Sequence, residues 1–293
     1  MKRTVALLSH DKNPEIIASA SRVAQALKLA GVDVFWLPTL PSSSNTVDTE
    51  LLSIDELARV ELIIVMGGDG TILRAAELAY GHSIPILGIN YGHMGFLAEA
   101  DPESIAHVVS AIEQGQWTVE SRMAVQVTIE TADGDVTSSW ALNEASIEKD
   151  PVSRMVEADI AIDQVPVSAF SCDTVLVSTP TGSTAYSFSA GGPVVWPDVD
   201  ALVVTPVAAH ALFARPLVVS PDSRVSVTIN SNNAHVWCDG RRLFPAPAGT
   251  RVTVTRDSHR VLLARLNEMP FTDRLVRKFN LPTHGWRNSG EAS

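Results

Sequence analysis

Through the first 120 residues the apolar positions switch between two periods. Mainly apolar runs at residues 5–8, 32–37, 62–66 and 84–89, interrupted by a charge only at Asp33, read as strands buried on both faces. Helical patterns at 55–58, 72–80 and 102–113 lie between or after them. The clearest helix starts where Asn13 can cap and Pro14 can take the first turn. Ile16, Ile17, Ala20, Val23, Ala24 and Leu27 follow at helical spacing, and Gly31 stops it. A Pro/Ser-rich stretch at 38–45 reads as a loop. This alternation predicts an α/β N-terminal domain with a Rossmann-like parallel sheet. Beyond Trp117 the pattern changes. β-branched runs at 119–130, 135–147, 156–162, 165–170, 225–230, 235–238, 252–255 and 261–266, with turn signals Asp133-Gly134 and Asp239-Gly240, predict an all-β C-terminal domain. The expected layout is an α/β domain at 1–118, a β domain at 119–270, and a basic tail at 271–293 returning to the α/β domain.

Composition narrows the function classes. The chain of 293 residues carries 33 acidic and 22 basic side chains, a net charge of −11. It lacks the basic balance that a general nucleic-acid or anionic-membrane binder needs, so neither partner is expected. Cys172 and Cys238 stand far apart without CxxC spacing, which predicts packing and not redox chemistry. The apolar run after Met1-Lys2-Arg3-Thr4 is too short for a signal peptide, and a cytoplasmic protein is expected. One stretch stands out against the overall charge. Residues 174–197 carry no formal charge, yet Ser, Thr, Gly and Pro supply 14 of the 24 positions. A membrane span needs about 20 mainly apolar residues, so this is not one.

Three segments carry candidate chemistry. Gly67-Gly68-Asp69-Gly70-Thr71 lies between a buried strand and a helix. Glycines there admit a phosphate to backbone N–H groups, and the helix N-terminus adds partial positive charge. Leucine at 73 breaks the dinucleotide fingerprint, and no Walker lysine follows. A plain βα turn needs no carboxylate at that place, whereas phosphoryl transfer needs a group that orients or deprotonates the attacking hydroxyl. On the turn alone both readings stay open. Second, Ser178-Thr179-Pro180-Thr181-Gly182-Ser183-Thr184-Ala185-Tyr186 places six hydroxyls in nine residues, suited to ribose hydroxyls, amide edges and phosphate oxygens. A Ser/Thr-rich surface loop is the alternative, opposed by apolar flanks at 175–177 and 194–196. Third, Asn143-Glu144 can grip nucleoside hydroxyls or simply end a strand. Asp173, Arg154 and Arg241-Arg242 read singly as structural or surface residues. The eight histidines show no metal-ligand spacing, and no GxSxG elbow is present.

Taken in order, these segments resemble the NAD kinase family. The resemblance runs from about Leu62 to Trp286. It rests on Gly67 to Thr71, Gly88-Ile89-Asn90 through Gly95-Phe96-Leu97, Asn143-Glu144, and residues 178–186 with Ser189-Ala190-Gly191-Gly192-Pro193. His210 with Arg215-Pro216-Leu217, and Asp239-Gly240-Arg241, complete it. A GGDGT turn also occurs in diacylglycerol and sphingosine-type lipid kinases; the hydroxyl-rich segments make the match specific. The resemblance implies phosphoryl transfer from ATP or polyphosphate to the 2′-hydroxyl of the adenosine ribose of NAD, giving NADP. It also implies a divalent metal, foremost Mg2+, bound mainly through substrate phosphates, and a homo-oligomer, dimer or tetramer, in which β domains meet.

The same resemblance places the proton acceptor on Asp69. It places NAD contacts on Asp69, Gly70, Asn143, Glu144, Arg154, Asp173, Thr184, Ala185, Tyr186, Ser187, Phe188 and Ser189, with Ala208 and Arg241 as further transfers. Gly67, Gly68, Gly70 and Thr71 form the phosphate loop, and Arg74 on the following helix joins the dinucleotide contacts through a phosphate. No protein ligand to the metal is expected. Two positions depart from the family pattern. Thr174 stands where glycine is usual, which matters if the backbone there needs positive φ, and Arg241 stands where glutamine is common. A non-catalytic dinucleotide sensor could dispense with Asp69 and the turn glycines, all of which are present. A lipid kinase would want a basic amphipathic face, which the chain lacks.

Overall fold

The computed structural model describes residues 3–10, 12–38, 54–91, 95–98, 105–231, 233–266 and 269–283. Most of the expected 38–45 loop, residues 92–94, the start of the 102–113 helix, His284 and Trp286 lie outside the described residues. The chain divides into two compact units, Met1–Ser121 with Val261–Ser293, and Arg122–Arg260.

In the first unit β1 (Thr4–Ser9), β2 (Asp33–Trp36), β3 (Leu62–Met66) and β4 (Ile86–Ile89) pair in parallel, in the order β2-β1-β3-β4. Three helices accompany them: α1 (Pro14–Leu29), α2 (Asp69–Ala79) and α3 (Ile105–Gln114). The Asn13 side chain caps α1 by accepting from the N–H groups of Glu15 and Ile16, as its sequence predicts. Val5, Leu7, Leu62, Ile64, Met66, Leu87 and Ile89 share a core with Ile16, Val23 and Leu27 of α1 and Val108 and Ile112 of α3. The alternate strand positions turn to the opposite face, which α2 covers with Ile72, Ala75 and Ala76 buried. Both faces are therefore dry, which is why these strands show no polar alternation.

The second unit is all-β. Its strands are β5 (Thr118–Glu130), β6 (Val136–Ala141), β7 (Glu144–Lys149), β8 (Val156–Ile162), β9 (Val165–Cys172) and β10 (Thr174–Ser178). After a loop holding the one-turn helix α4 (Tyr186–Ser189) come β11 (Leu202–Val207), β12 (Leu217–Val219), β13 (Val225–Ser231), β14 (Ala234–Cys238), β15 (Arg242–Ala246) and β16 (Arg251–Arg265). One antiparallel sheet runs β12-β11-β10-β7-β14-β15. In the other, β9, β8, β13 and the start of β16 lie side by side, and β5 pairs with β6. Residues of both sheets, among them Val127, Ile160, Val177, Val204, Val227 and Val236, close one core.

Several expectations change. Residues 135–147 form two strands, interrupted at Leu142 and Asn143. The runs at 252–255 and 261–266 are one strand, β16, because the polar residues between them stay extended. Its far end belongs with the first unit: Leu263 pairs in parallel with Ile86, and Ala264 sits in that unit's core. The boundary thus falls at 260/261 and not after 270, since β-branched texture marks a strand without saying which sheet it joins. The basic tail contains a helix, α5 (Phe271–Phe279), whose Phe271 and Phe279 rings lie 5.6 and 5.8 Å from that of Phe96. Thr174 is buried in β10, opposite Glu148 and Val207. Extended backbone accepts any residue, so threonine there carries no conformational cost. Among the described residues no helix is long and apolar enough to cross a membrane.

Candidate active site

The first unit contributes the Gly67–Thr71 segment. β3 ends at Met66 and α2 begins at Asp69, with Gly68 in the capping position and no side chain capping it. The helix starts three residues before position 72, so Asp69, Gly70 and Thr71 occupy its first turn. The positive end of the helix dipole lies there, and the Thr71 N–H already turns back to the Gly68 carbonyl at 2.9 Å. A Cβ at Gly68 or Gly70 would meet no described atom within 4 Å, so neither glycine is there for packing. Both leave the helix start open to a phosphate. Arg74, one turn on, donates from Nη2 to the Pro38 carbonyl at 3.1 Å.

Asp69 is held from outside its own helix. The Phe96 N–H donates to Oδ2 at 3.1 Å and the Leu97 N–H to Oδ1 at 3.2 Å. A Cβ on Gly95 would run into the same carboxylate, so only glycine lets that segment approach the acid. Gly95→Ala is expected to push Asp69 aside and lower kcat about 10- to 100-fold; unchanged kcat in the folded variant would contradict this.

The second unit brings Asn143-Glu144 against the hydroxyl-rich loop, and a residue read only as part of a turn organises the meeting. Asp239 accepts from the Leu142 N–H at 3.0 Å through Oδ2 and from the Asn143 N–H at 2.6 Å through Oδ1. Those two N–H groups belong to the link between β6, which pairs with β5, and β7, which pairs with β10 and β14, and Asp239 takes up both. Asp239 also pairs with Arg242 at 2.8 Å, and Arg242 donates to the Trp140 carbonyl and lies 4.6 Å over the Trp140 ring. Asp239 and Gly240 both have positive φ, 56° and 61°, closing the tight hairpin between β14 and β15 that the Asp-Gly pair predicts. No local signal separates a turn aspartate from one that reaches residues 96 and 97 positions away.

Glu144 is 7% exposed and faces Ser178 across the β7–β10 pair. Burial, then the Asp239 carboxylate and Glu148, pushes its carboxyl up to about 8 against a hydrogen bond from the Tyr186 N–H. Among the described residues its Oε2 has no hydrogen-bond partner, and neither has the fully buried Ser178 Oγ. Two buried polar atoms without a partner among the described residues thus stand on facing strand positions. The loop itself is built tightly onto this pair. A Cβ on Gly182 would strike the Asn143 backbone. Thr179 Oγ1 donates to the Leu142 carbonyl at 2.5 Å, and Gly182 N–H returns to Thr179 Oγ1 at 3.1 Å.

The hydroxyls are therefore less available than their number suggests. Ser183 bridges the Pro180 carbonyl and the Val195 N–H, Thr184 donates to the Thr181 carbonyl, and Ser187 pairs with Thr205. Their absence of charge reflects burial as much as any ligand. Ala185 is half-buried, and Tyr186, Phe188 and Ser189 are exposed. Lys149 joins Asp173 to Arg154, its Nζ donating to Asp173 Oδ1 at 2.7 Å and to the Arg154 carbonyl at 3.2 Å. Ala208 is exposed with φ 50°, and Arg241 is exposed just after the hairpin turn. Cys172 and Cys238 are free and buried, their thiols pushed up by burial to about 12 and about 11, as packing residues. Among the described residues no group of three or more His, Cys, Asp or Glu side chains could hold a metal ion.

Two family models match the chain: the ATP-NAD kinase N-terminal domain over residues 5–117 and the ATP-NAD kinase C-terminal domain over residues 142–266. The NAD kinase of Thermobifida fusca is 45% identical, the match covering 97% of this chain and 91% of that one. NAD kinase 2 of Streptomyces avermitilis is 46% identical over 98% and 97% of the two chains. The Mycobacterium tuberculosis NAD kinase is 47% identical over 97% and 98%. Among solved structures, yeast NADH kinase complexed with NADH has the same fold, with a TM-score of 0.86 at 21% identity over 97% of this chain and 89% of that one. An NAD kinase from Archaeoglobus fulgidus in complex with ATP gives 0.74 at 28% over 95% and 99%. With relatives this similar over nearly its whole length, the chain belongs to the NAD kinase family.

Proposed function

We propose that the protein transfers the γ-phosphoryl group of ATP to the 2′-hydroxyl of the adenosine ribose of NAD, making NADP, with polyphosphate as an alternative donor. The observation that carries this reading is Asp69, a carboxylate fixed by two backbone N–H groups in the first turn of α2 beside two glycines where an added Cβ would meet no described atom. As O2′ bonds to the γ-phosphorus, its proton passes to Asp69. The bond from phosphorus to the bridging oxygen breaks, and ADP leaves. The N–H groups of the α2 start, with Arg74, balance the phosphate charge. A divalent metal, foremost Mg2+, would be held mainly by the donor phosphates and would supply further neutralisation of their charge. Asn143 and Glu144 take nucleoside hydroxyls. Arg154, Asp173, residues 184–189, Ala208 and Arg241 complete the dinucleotide contacts.

Phosphorus NMR of the product tests the reaction. A new 2′-phosphomonoester is expected, and a 3′-ester would overturn the assignment. A homo-oligomer, dimer or tetramer, is part of the same proposal. It is supported by the exposed apolar side chains Leu212, Phe213 and Val218 of the β unit. Light scattering should give two or four times 31.4 kDa, and a monomer would contradict it. The two free thiols fit a reducing compartment, the cytoplasm in this proposal.

A further inference from the structure

Two arginines of the first unit, Arg265 at the end of β16 and Arg274 in α5, are 2% and 5% exposed. Both reach the backbone of the residues that hold Asp69. Arg265 donates from Nη1 to the Leu97 carbonyl at 2.9 Å and from Nε to Glu120 Oε2 at 3.0 Å. Arg274 donates from Nη1 to the Phe96 carbonyl and from Nη2 to the Met269 carbonyl, each at 3.4 Å. The Phe96 carbonyl and the Leu97 N–H are the two ends of one peptide group, and that N–H donates to Asp69 Oδ1. A cation therefore sits on the oxygen end of an amide whose nitrogen end faces a carboxylate. Each polarises the amide in the sense that strengthens the other's bond. The Phe271 and Phe279 rings grip the Phe96 side chain from the same helix. Docking a helix needs only apolar contact, whereas burying a guanidinium is unfavourable unless it is well bonded.

We propose that Arg274, backed by Arg265, is a positioning residue for the proton acceptor: through the Phe96–Leu97 peptide, the C-terminal helix fixes the carboxylate of Asp69. This rests on the role of Asp69 proposed above. Steady-state kinetics of Arg274→Met, Arg274→Lys, Asp69→Asn and the double variant Asp69→Asn/Arg274→Met, with melting curves for each, test it. In Arg274→Met, kcat is expected to fall about 10- to 100-fold, while KM for NAD moves less than about twofold. Arg274→Lys, which keeps the charge, should recover part of the loss. In the Asp69→Asn background the Met substitution should add no further loss, because the group it acts through is already gone. Wild-type kcat in a folded Arg274→Met protein, or the same fold-loss in both backgrounds, overturns the proposal. If Arg274→Met does not fold, Arg274→Lys carries the test, with reduced kcat at constant KM expected and wild-type kcat overturning it. Full activity of Asp69→Asn alone would instead remove the reading on which the proposal stands.

Discussion

Asp69→Asn is expected to lower turnover by about 10²–10⁴-fold, the usual range for losing a general base, while NAD still binds. The substitution also disturbs how the proposed base is held. Asp69 meets the Phe96 and Leu97 N–H groups with one oxygen each. Asparagine offers one acceptor and turns an NH2 group toward the second N–H, so the substitution removes the base and sets donor against donor. Saturating kinetics should show the fall in kcat, and calorimetry should show NAD affinity within a few-fold of wild type. Loss of binding with kcat intact would move Asp69 out of the chemistry and into the dinucleotide site.

Glu144→Gln is expected to act in two opposite directions. With its carboxyl pushed up to about 8, Glu144 is mostly protonated in the free protein at neutral pH. Ribose hydroxyls that donate to it favour the ionised form, so binding releases a proton and NAD affinity should rise with pH up to about 8 and level beyond it. The glutamine amide would remove that dependence and weaken binding by about 10- to 100-fold, the scale of hydrogen bonds to a charged group. Stability follows the reverse sign. Between the ordinary value of 4.5 and about 8, the folded state holds a proton that the unfolded state has released. Stability therefore falls as pH rises through this window, and above it the full cost remains. The neutral amide escapes that cost, so the variant should melt higher than wild type near pH 8 and about equally near pH 4.5. Calorimetric titrations and melting curves across this range check both halves. A pH-independent affinity in the wild type would separate Glu144 from the ligand.

The candidate segments of the two units were legible in the sequence to different degrees, for physical reasons. Gly67–Thr71 announces itself because its chemistry is contiguous: a buried strand, glycines, an acid and a helix in order. The partners of Asp69 do not, since Phe96, Leu97, Arg265 and Arg274 meet only when the chain folds and a backbone N–H leaves no mark in composition. Asp239 was visible as a hairpin turn and hidden as the residue that holds the Leu142–Asn143 link between β6 and β7, because turn and anchor ask for the same side chain. The uncharged stretch from 174 to 197 was the most misleading in detail. Its hydroxyls mostly hold its own loop together, and its first five residues are a buried strand. The all-β domain was legible as many β-branched runs with turn signals. The pairing of β10 with β7, which sets Ser178 opposite Glu144, depends on register that alternation within one strand does not reveal.

The most direct measurement incubates the pure protein with NAD, ATP and magnesium and follows NADP. The account predicts NADP accumulating with ATP in wild type and collapsing in Asp69→Asn. No NADP with either ATP or polyphosphate, from folded protein that binds NAD, would contradict it.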